Sequence, residues 1–233
     1  MKFLLTNDDG IGAEGLAALR QAISPLGDVA VVAPRGPFSS CGHQITTDRP
    51  LAVERTSERS YAVDGSPADC ARLGLLCLKT DVDWLLSGIN AGGNLGVDIH
   101  MSGTVAAARE AALLGRPAIA FSQYHDRGSR YDWQWATAMA VRVFHHVRRL
   151  PLPPAHFWNV NFPDPRGGGG EPEMVLCEPD IHPLAIVYEE QDGKYHYRGV
   201  YQERRFRPQT DVDHCFRGAI AISRVSAGIV SCK

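Results

Sequence analysis

A chain of 233 residues, 44% hydrophobic and 21% charged, can bury a substantial core as one α/β domain with or without an appendage. Its formal net charge of −2 offers no bulk field to a nucleic-acid polymer or an anionic membrane, and no apolar run approaches the roughly 18–20 residues needed to cross a bilayer. The first apolar run starts at once, leaving no room for a signal peptide. The six cysteines are scattered without a Cys-x-x-Cys pair, which points to reduced thiols and a cytoplasmic protein.

In chain order, Phe3, Leu4 and Leu5 predict a strand buried on both faces, and residues 13–23 carry a helical period. A second β run covers residues 29–33 and closes at Pro34, before a polar, turn-rich stretch over 35–44. Short strands are expected at 51–53 and 61–63. Ser66, Pro67 and Asp69 then read as an N-cap, a first-position proline and a first-turn acid of a helix running to about residue 78. A buried strand over 84–87 leads into a glycine- and asparagine-rich loop over 88–101. An alanine-rich helix follows from about 103 to 114, with Gly115 as its cap. Residues 118–122 read as a strand, 133–150 as a helix and 157–162 as a strand. This alternation predicts a Rossmann-like, doubly wound, mostly parallel sheet.

The pattern changes at Pro163. A connector with four glycines leads into a segment without helical period, where residues 186–190 and 195–200 flank Asp192-Gly193 as a β-hairpin. Residues 219–223 read as a last strand returning to the body. The expected organisation is an α/β catalytic core over 1–163, a β-rich arm over 164–217 and a returning strand with a short tail over 218–233. Arg204, Arg205 and Arg207 read as exposed charge on the arm, Trp133 and Trp135 as cover for the core. Cys70 and Cys77 read as small core residues on one helix face.

Right-handed crossovers place the loops after the parallel strands along one edge, where open α/β sheets build their sites. Those loops carry Asp8 and Asp9, then Ser39, then Asn90 with Asn94 beyond it. Adjacent carboxylates repel; a divalent cation offsets that, and so does a solvated turn. Asp, Asn and Ser are hard oxygen donors that suit Mg²⁺ or Mn²⁺ better than zinc or copper. Ser102, Gly103 and Thr104 open the alanine-rich helix with free N–H groups, two hydroxyls and a positive dipole end, the makeup of a phosphate cradle or of a plain N-cap. A cation beside an anion cradle points to metal-assisted phosphate chemistry.

Six segments occur in a telling order: Thr6-Asn7-Asp8-Asp9-Gly10-Ile11, Val31-Val32-Ala33-Pro34, Gly65-Ser66-Pro67-Ala68-Asp69-Cys70, the stretch from Ser87 to Gly96, Ser102-Gly103-Thr104 with its alanines, and Asn159-Val160-Asn161-Phe162-Pro163. Through them the chain resembles the SurE family of survival proteins, metal-dependent nucleotidases and acid phosphatases, over about residues 1–163. The resemblance implies one divalent ion, Mg²⁺ or Mn²⁺, held by Asp8, Asp9, Ser39 and Asn90. It also implies phosphate contacts from Asn94, Ser102, Gly103 and Thr104. The fold it implies is a Rossmann-like sheet with a hairpin extension used in homodimers or homotetramers. Its substrates are nucleoside monophosphates, with short polyphosphate in some members. The sequence departs from the family pattern at Arg35, at Gly93, in the Cys41-Gly42-His43 loop and in a tail that lacks a further helix.

The expected activity is hydrolysis of nucleoside 5′- or 3′-monophosphates. Asp8 orients or deprotonates the attacking water, and Thr104, with Ser102, Gly103 and Asn94, stabilises charge on the equatorial oxygens. A covalent role for Asp8 lacks the Asp-x-Asp spacing, and dinucleotide binding lacks glycines in the first turn. Cys41 and His43, two residues apart, make a poor hydrolase pair. The rival reading is a metal- and nucleotide-binding regulatory module without catalysis.

Overall fold

The first strand, β1 (Lys2–Thr6), lies inside a nine-stranded sheet, and its Phe3, Leu4 and Leu5 are fully buried. Phe3 and Leu5 enter one core cluster and Leu4 the other, as the two-residue period of a strand between two apolar layers requires. The computed structural model describes residues 1–78, 81–126, 130–165 and 171–228. After β1 come α1 (Glu14–Ile23), β2 (Asp28–Pro34), β3 (Val53–Ser57), β4 (Ser60–Val63), α2 (Pro67–Arg72), β5 (Trp84–Ala91), α3 (Gly103–Leu113) and β6 (Ala118–Gln123). Then follow α4 (Trp133–Val147), β7 (His156–Phe162), β8 (Met174–Leu176), β9 (Tyr188–Gln191), β10 (Lys194–Tyr197), α5 (Asp211–Phe216) and β11 (Ile220–Ser226).

The sheet order is β3-β4-β2-β1-β5-β6-β7-β11-β8, and β9 with β10 forms a separate hairpin. Pairing is parallel except where β3 meets β4 and β11 meets β7. Residues of α1 and α4 pack in one core cluster and those of α2 and α3 in the other. The ends of β1 and β5 therefore open beside the start of α3, along one edge of the sheet. Trp133 and Trp135 pack against the first cluster, as expected.

Three expectations need correction. The helix begun at Ser66, whose side chain and that of Asp69 form a reciprocal capping box, changes to a π turn over Leu73–Cys77. The wider turn shifts the helical phase, so Cys70 is buried but Cys77 is exposed. The segment beyond Pro163 is not free of helix, because α5 buries Val212 and Cys215. Of the arginine run, Arg205 and Arg207 are exposed, but Arg204 is buried. The glycine run at 167–170 and the tail from 229 lie outside the described residues.

Candidate functional site

Asp8 and Asp9 follow β1 in a turn that the Asn7 side chain shapes, its Nδ2 donating to the Gly10 carbonyl at 2.8 Å. Asp8 is buried, and the start of α3 packs directly on it. The Thr104 hydroxyl donates to Asp8 Oδ1, and the Thr104 backbone N–H also serves the carboxylate. Gly103 makes this approach possible: a Cβ there would lie 2.9 Å from the Asp8 Cβ and 2.9 Å from the Cys41 sulfur. Burial pushes Asp8 up to about 6 against the Thr104 hydroxyl, which favours the charged form, and the Asp9 charge adds to the rise. Burial also raises Asp9, whose Oδ2 accepts the Ala91 N–H at 3.3 Å.

The Ser39 loop is fixed at several points. Phe38 N–H donates to the Asp8 carbonyl at 2.7 Å, and Gly42 N–H donates to the Met101 carbonyl at 3.0 Å. His43 Nε2 meets Glu110 Oε2 at 2.7 Å, and Arg72 Nε donates to the other oxygen at 2.6 Å. Against the upward push of burial, these two partners hold Glu110 below the usual carboxylate range. His43 is thus engaged by α3 rather than by Cys41. Burial, with Asp8 adding, pushes the Cys41 thiol up, which disfavours the thiolate a cysteine hydrolase needs.

On the other side, Asn94 is buried among polar groups of neighbouring strands. Its N–H donates to Asn161 Oδ1 at 2.7 Å and its Nδ2 to Ser122 Oγ at 2.8 Å. Its carbonyl accepts from Asn159 at 2.8 Å and from Asn161 at 3.0 Å. Ser102 caps α3, accepting the Val105 N–H at 3.1 Å, and its own hydroxyl hydrogen remains to be donated.

A cavity of about 710 Å³ joins these groups. Asp8, Asp9, Ser39, Asn90, Asn94 and Ser102 line it, and so do Ile181, Pro183, Leu184, Ile186, Tyr188 and Tyr197 from the segment that contains the β9–β10 hairpin. Gly103 and Thr104 are not in its wall. The anion seated at the start of α3 is the protein's own Asp8, so Thr104 reaches the cavity through that carboxylate. The four expected metal positions do meet in this cavity. Their donors fit a hard divalent cation: two carboxylates, a hydroxyl and an amide whose nitrogen is committed to the Gly92 carbonyl at 2.8 Å, leaving Asn90 Oδ1 as donor. Among the described residues no group of three His, Cys, Asp or Glu is placed to hold a metal ion, so the neutral oxygens are needed to complete such a set.

Sequence reasoning gave no role to Ser122, Asn159, Asn161, Asp98 or Tyr201, and read Arg204 only as part of an exposed basic run on the arm. The signal for the asparagines was present: two amides at alternate positions of an otherwise apolar buried strand share a face and need partners there.

Residues 3–176 match the family model described as "Survival protein SurE". The chain belongs to the SurE family. A Synechocystis relative is 48% identical over 225 residues, spanning 97% of this SurE chain and 99% of its own. The 5′-nucleotidase SurE of Geotalea uraniireducens is 49% identical over 209 residues, spanning 88% of this chain and 77% of that protein. The crystal structure of the SurE protein from Aquifex aeolicus superposes with a TM-score of 0.85 at 32% identity, over 99% of this chain and 95% of that one. The Rossmann-like sheet with its C-terminal hairpin is thus a SurE fold.

Proposed function

We propose that this SurE chain is a phosphomonoesterase that hydrolyses nucleoside 5′- and 3′-monophosphates to nucleoside and orthophosphate, with one divalent cation, Mg²⁺ or Mn²⁺, held by Asp8, Asp9, Ser39 and Asn90. The observation that carries the reading is the double character of the cavity lining: oxygen donors and an N-cap hydroxyl from the loops after the parallel strands, aliphatic side chains and two tyrosines from residues 181–197. A phosphate suits the first and a nucleoside the second. Nucleotidase names among the relatives support the same substrate class. Short polyphosphate presents the same phosphoryl end and falls within the reading.

When bound, the cation supplies charge to the phosphoryl oxygens and acidifies a water. Thr104 fixes one oxygen of Asp8 and so aims the second into the cavity, where it would help hold the cation and orient or deprotonate the attacking water. Ser102, and the Asn94 amide hydrogen not given to Ser122, donate to the equatorial oxygens. One such preorganised donor is worth about 3 kcal/mol.

Val187 and Tyr195, exposed and outside the cavity wall, are the contacts we assign to a homodimer or homotetramer built through the arm. Among the described residues no helix is long and apolar enough to cross a membrane, and five cysteines are unpaired, which supports a cytoplasmic site of action. The test is phosphate release from a panel of nucleoside monophosphates with Mn²⁺ or Mg²⁺, then with EDTA, for wild type and Asp8→Asn. Metal-dependent release that the variant loses is the expected result. Saturable metal and nucleotide binding without release would establish the regulatory module instead.

A further inference from the structure

The segment from Asn94 to Ser102 carries a proposed phosphate donor at each end, and the arm grips its middle. Arg204, its side chain fully buried, donates from Nη1 to Asp98 Oδ2 at 2.7 Å and from Nη2 to the Leu95 carbonyl at 3.2 Å. The Tyr201 hydroxyl donates to the same Asp98 oxygen at 2.7 Å, and the guanidinium lies over the Tyr201 ring at 5.0 Å. Asp211 takes the Gly96 N–H at 2.7 Å on one oxygen and the Asp180 N–H at 2.8 Å on the other. Gly96 has φ +55°, and a Cβ there would lie 2.7 Å from the Asp180 carbonyl and 3.1 Å from Arg204 Nη2, so only glycine permits this approach. The grip is transmitted at both ends. Ser102 N–H donates to the Asp98 carbonyl at 3.1 Å, and Leu95 directly follows Asn94.

We propose that Arg204, seconded by Tyr201, is a positioning residue for phosphate: by clamping Asp98 and Leu95 it sets the spacing of Asn94 and Ser102, which makes the arm a working part of the anion site. The inference rests on the phosphomonoesterase reading. Stability is a poor alternative account of the clamp. A buried ion pair seldom outperforms apolar side chains of equal volume, and here Asp98 Oδ1 and Arg204 Nε are buried without hydrogen-bond partners among the described residues.

The experiment compares wild type with the double variant Asp98→Leu/Arg204→Met, which removes both charges together. Calorimetry measures Mn²⁺ binding alone and orthophosphate binding in the presence of Mn²⁺, beside steady-state kinetics on a nucleoside monophosphate. The orthophosphate Kd and the KM are expected to rise about 10- to 100-fold, with the Mn²⁺ Kd held within about twofold. Orthophosphate affinity equal to wild type overturns the proposal, and so does an equal loss of Mn²⁺ affinity, which marks general loosening. If the double variant does not fold, Arg204→Lys decides. It keeps the charge but cannot fork between Asp98 and Leu95, so KM should rise at unchanged Mn²⁺ Kd, and an unchanged KM overturns the clamp. Wild type that binds no orthophosphate removes the phosphomonoesterase reading itself, and the clamp with it.

Discussion

Thr104→Val removes a single hydroxyl from behind the metal-facing carboxylate while nearly conserving volume. The lost hydrogen bond goes to a buried charged oxygen, a class worth about 1.5–3 kcal/mol. The Thr104 hydroxyl lowers the Asp8 value, which stands at about 6, so its removal should raise that value by about one to two pH units. Binding a cation requires the ionised carboxylate, hence affinity climbs with pH until Asp8 has lost its proton. At pH 7 the ionised to neutral ratio is about ten to one in wild type and about one to one or lower in the variant. The assay is calorimetric titration of metal-free protein with Mn²⁺ between pH 5 and 9, with buffers of different ionisation enthalpy reporting the proton released. The variant should reach its affinity plateau about one to two pH units later and release more protons per Mn²⁺ at pH 7. Coincident profiles for the two proteins would falsify the placement of Thr104 behind Asp8.

Asp8→Asn should raise the stability of the metal-free protein at pH 8. The raised Asp8 value means that the stability of the neutral form, full below the unfolded value of 3.8, is lost as pH climbs through about 6. The gain is at most about 3 kcal/mol and should vanish near pH 4, which thermal melts at both pH values will check. A melt shift equal at both pH values refutes this. Asn161→Val takes two hydrogen bonds from Asn94 and should lower stability by about 1–3 kcal/mol, with kcat/KM falling at least tenfold. Parallel urea curves and kinetics report both. Tyr188→Ala/Tyr197→Ala removes the aromatic wall and should reduce the preference for a nucleoside monophosphate over glycerol phosphate by about 5- to 100-fold. A retained preference would show that the nucleoside sits elsewhere.

The edge that holds the site was legible because its logic is topological. A buried run at residues 3–5 ending in Asp8 and Asp9, and another ending near Asn90, had to open on the same side once both strands were parallel. Which group satisfies which was not legible. A hydroxyl at a helix start serves an external phosphate or a carboxylate delivered from another strand equally well, and Asp8 lies 96 residues from Thr104. The same holds for Arg204, which reads as surface charge until Asp98, 106 residues away, is brought against it. The π turn that exposes Cys77 was hidden for a different reason, since an extra residue in one turn leaves the composition and approximate period of the helix intact.

The position of β11 orders the birth of the enzyme in time. β8 joins the sheet through β11, and β11 is the last strand among the described residues. On a ribosome, the six strands from β3 to β6 in sheet order can pair while the chain is still being extended, but β8 waits for residues 220–222 to emerge. The Cys177 N–H, just past β8, likewise awaits the Ile222 carbonyl. A nascent chain halted before residue 220 would therefore carry both aspartates in a nearly formed sheet, with β8 unanchored beyond the open edge of β7.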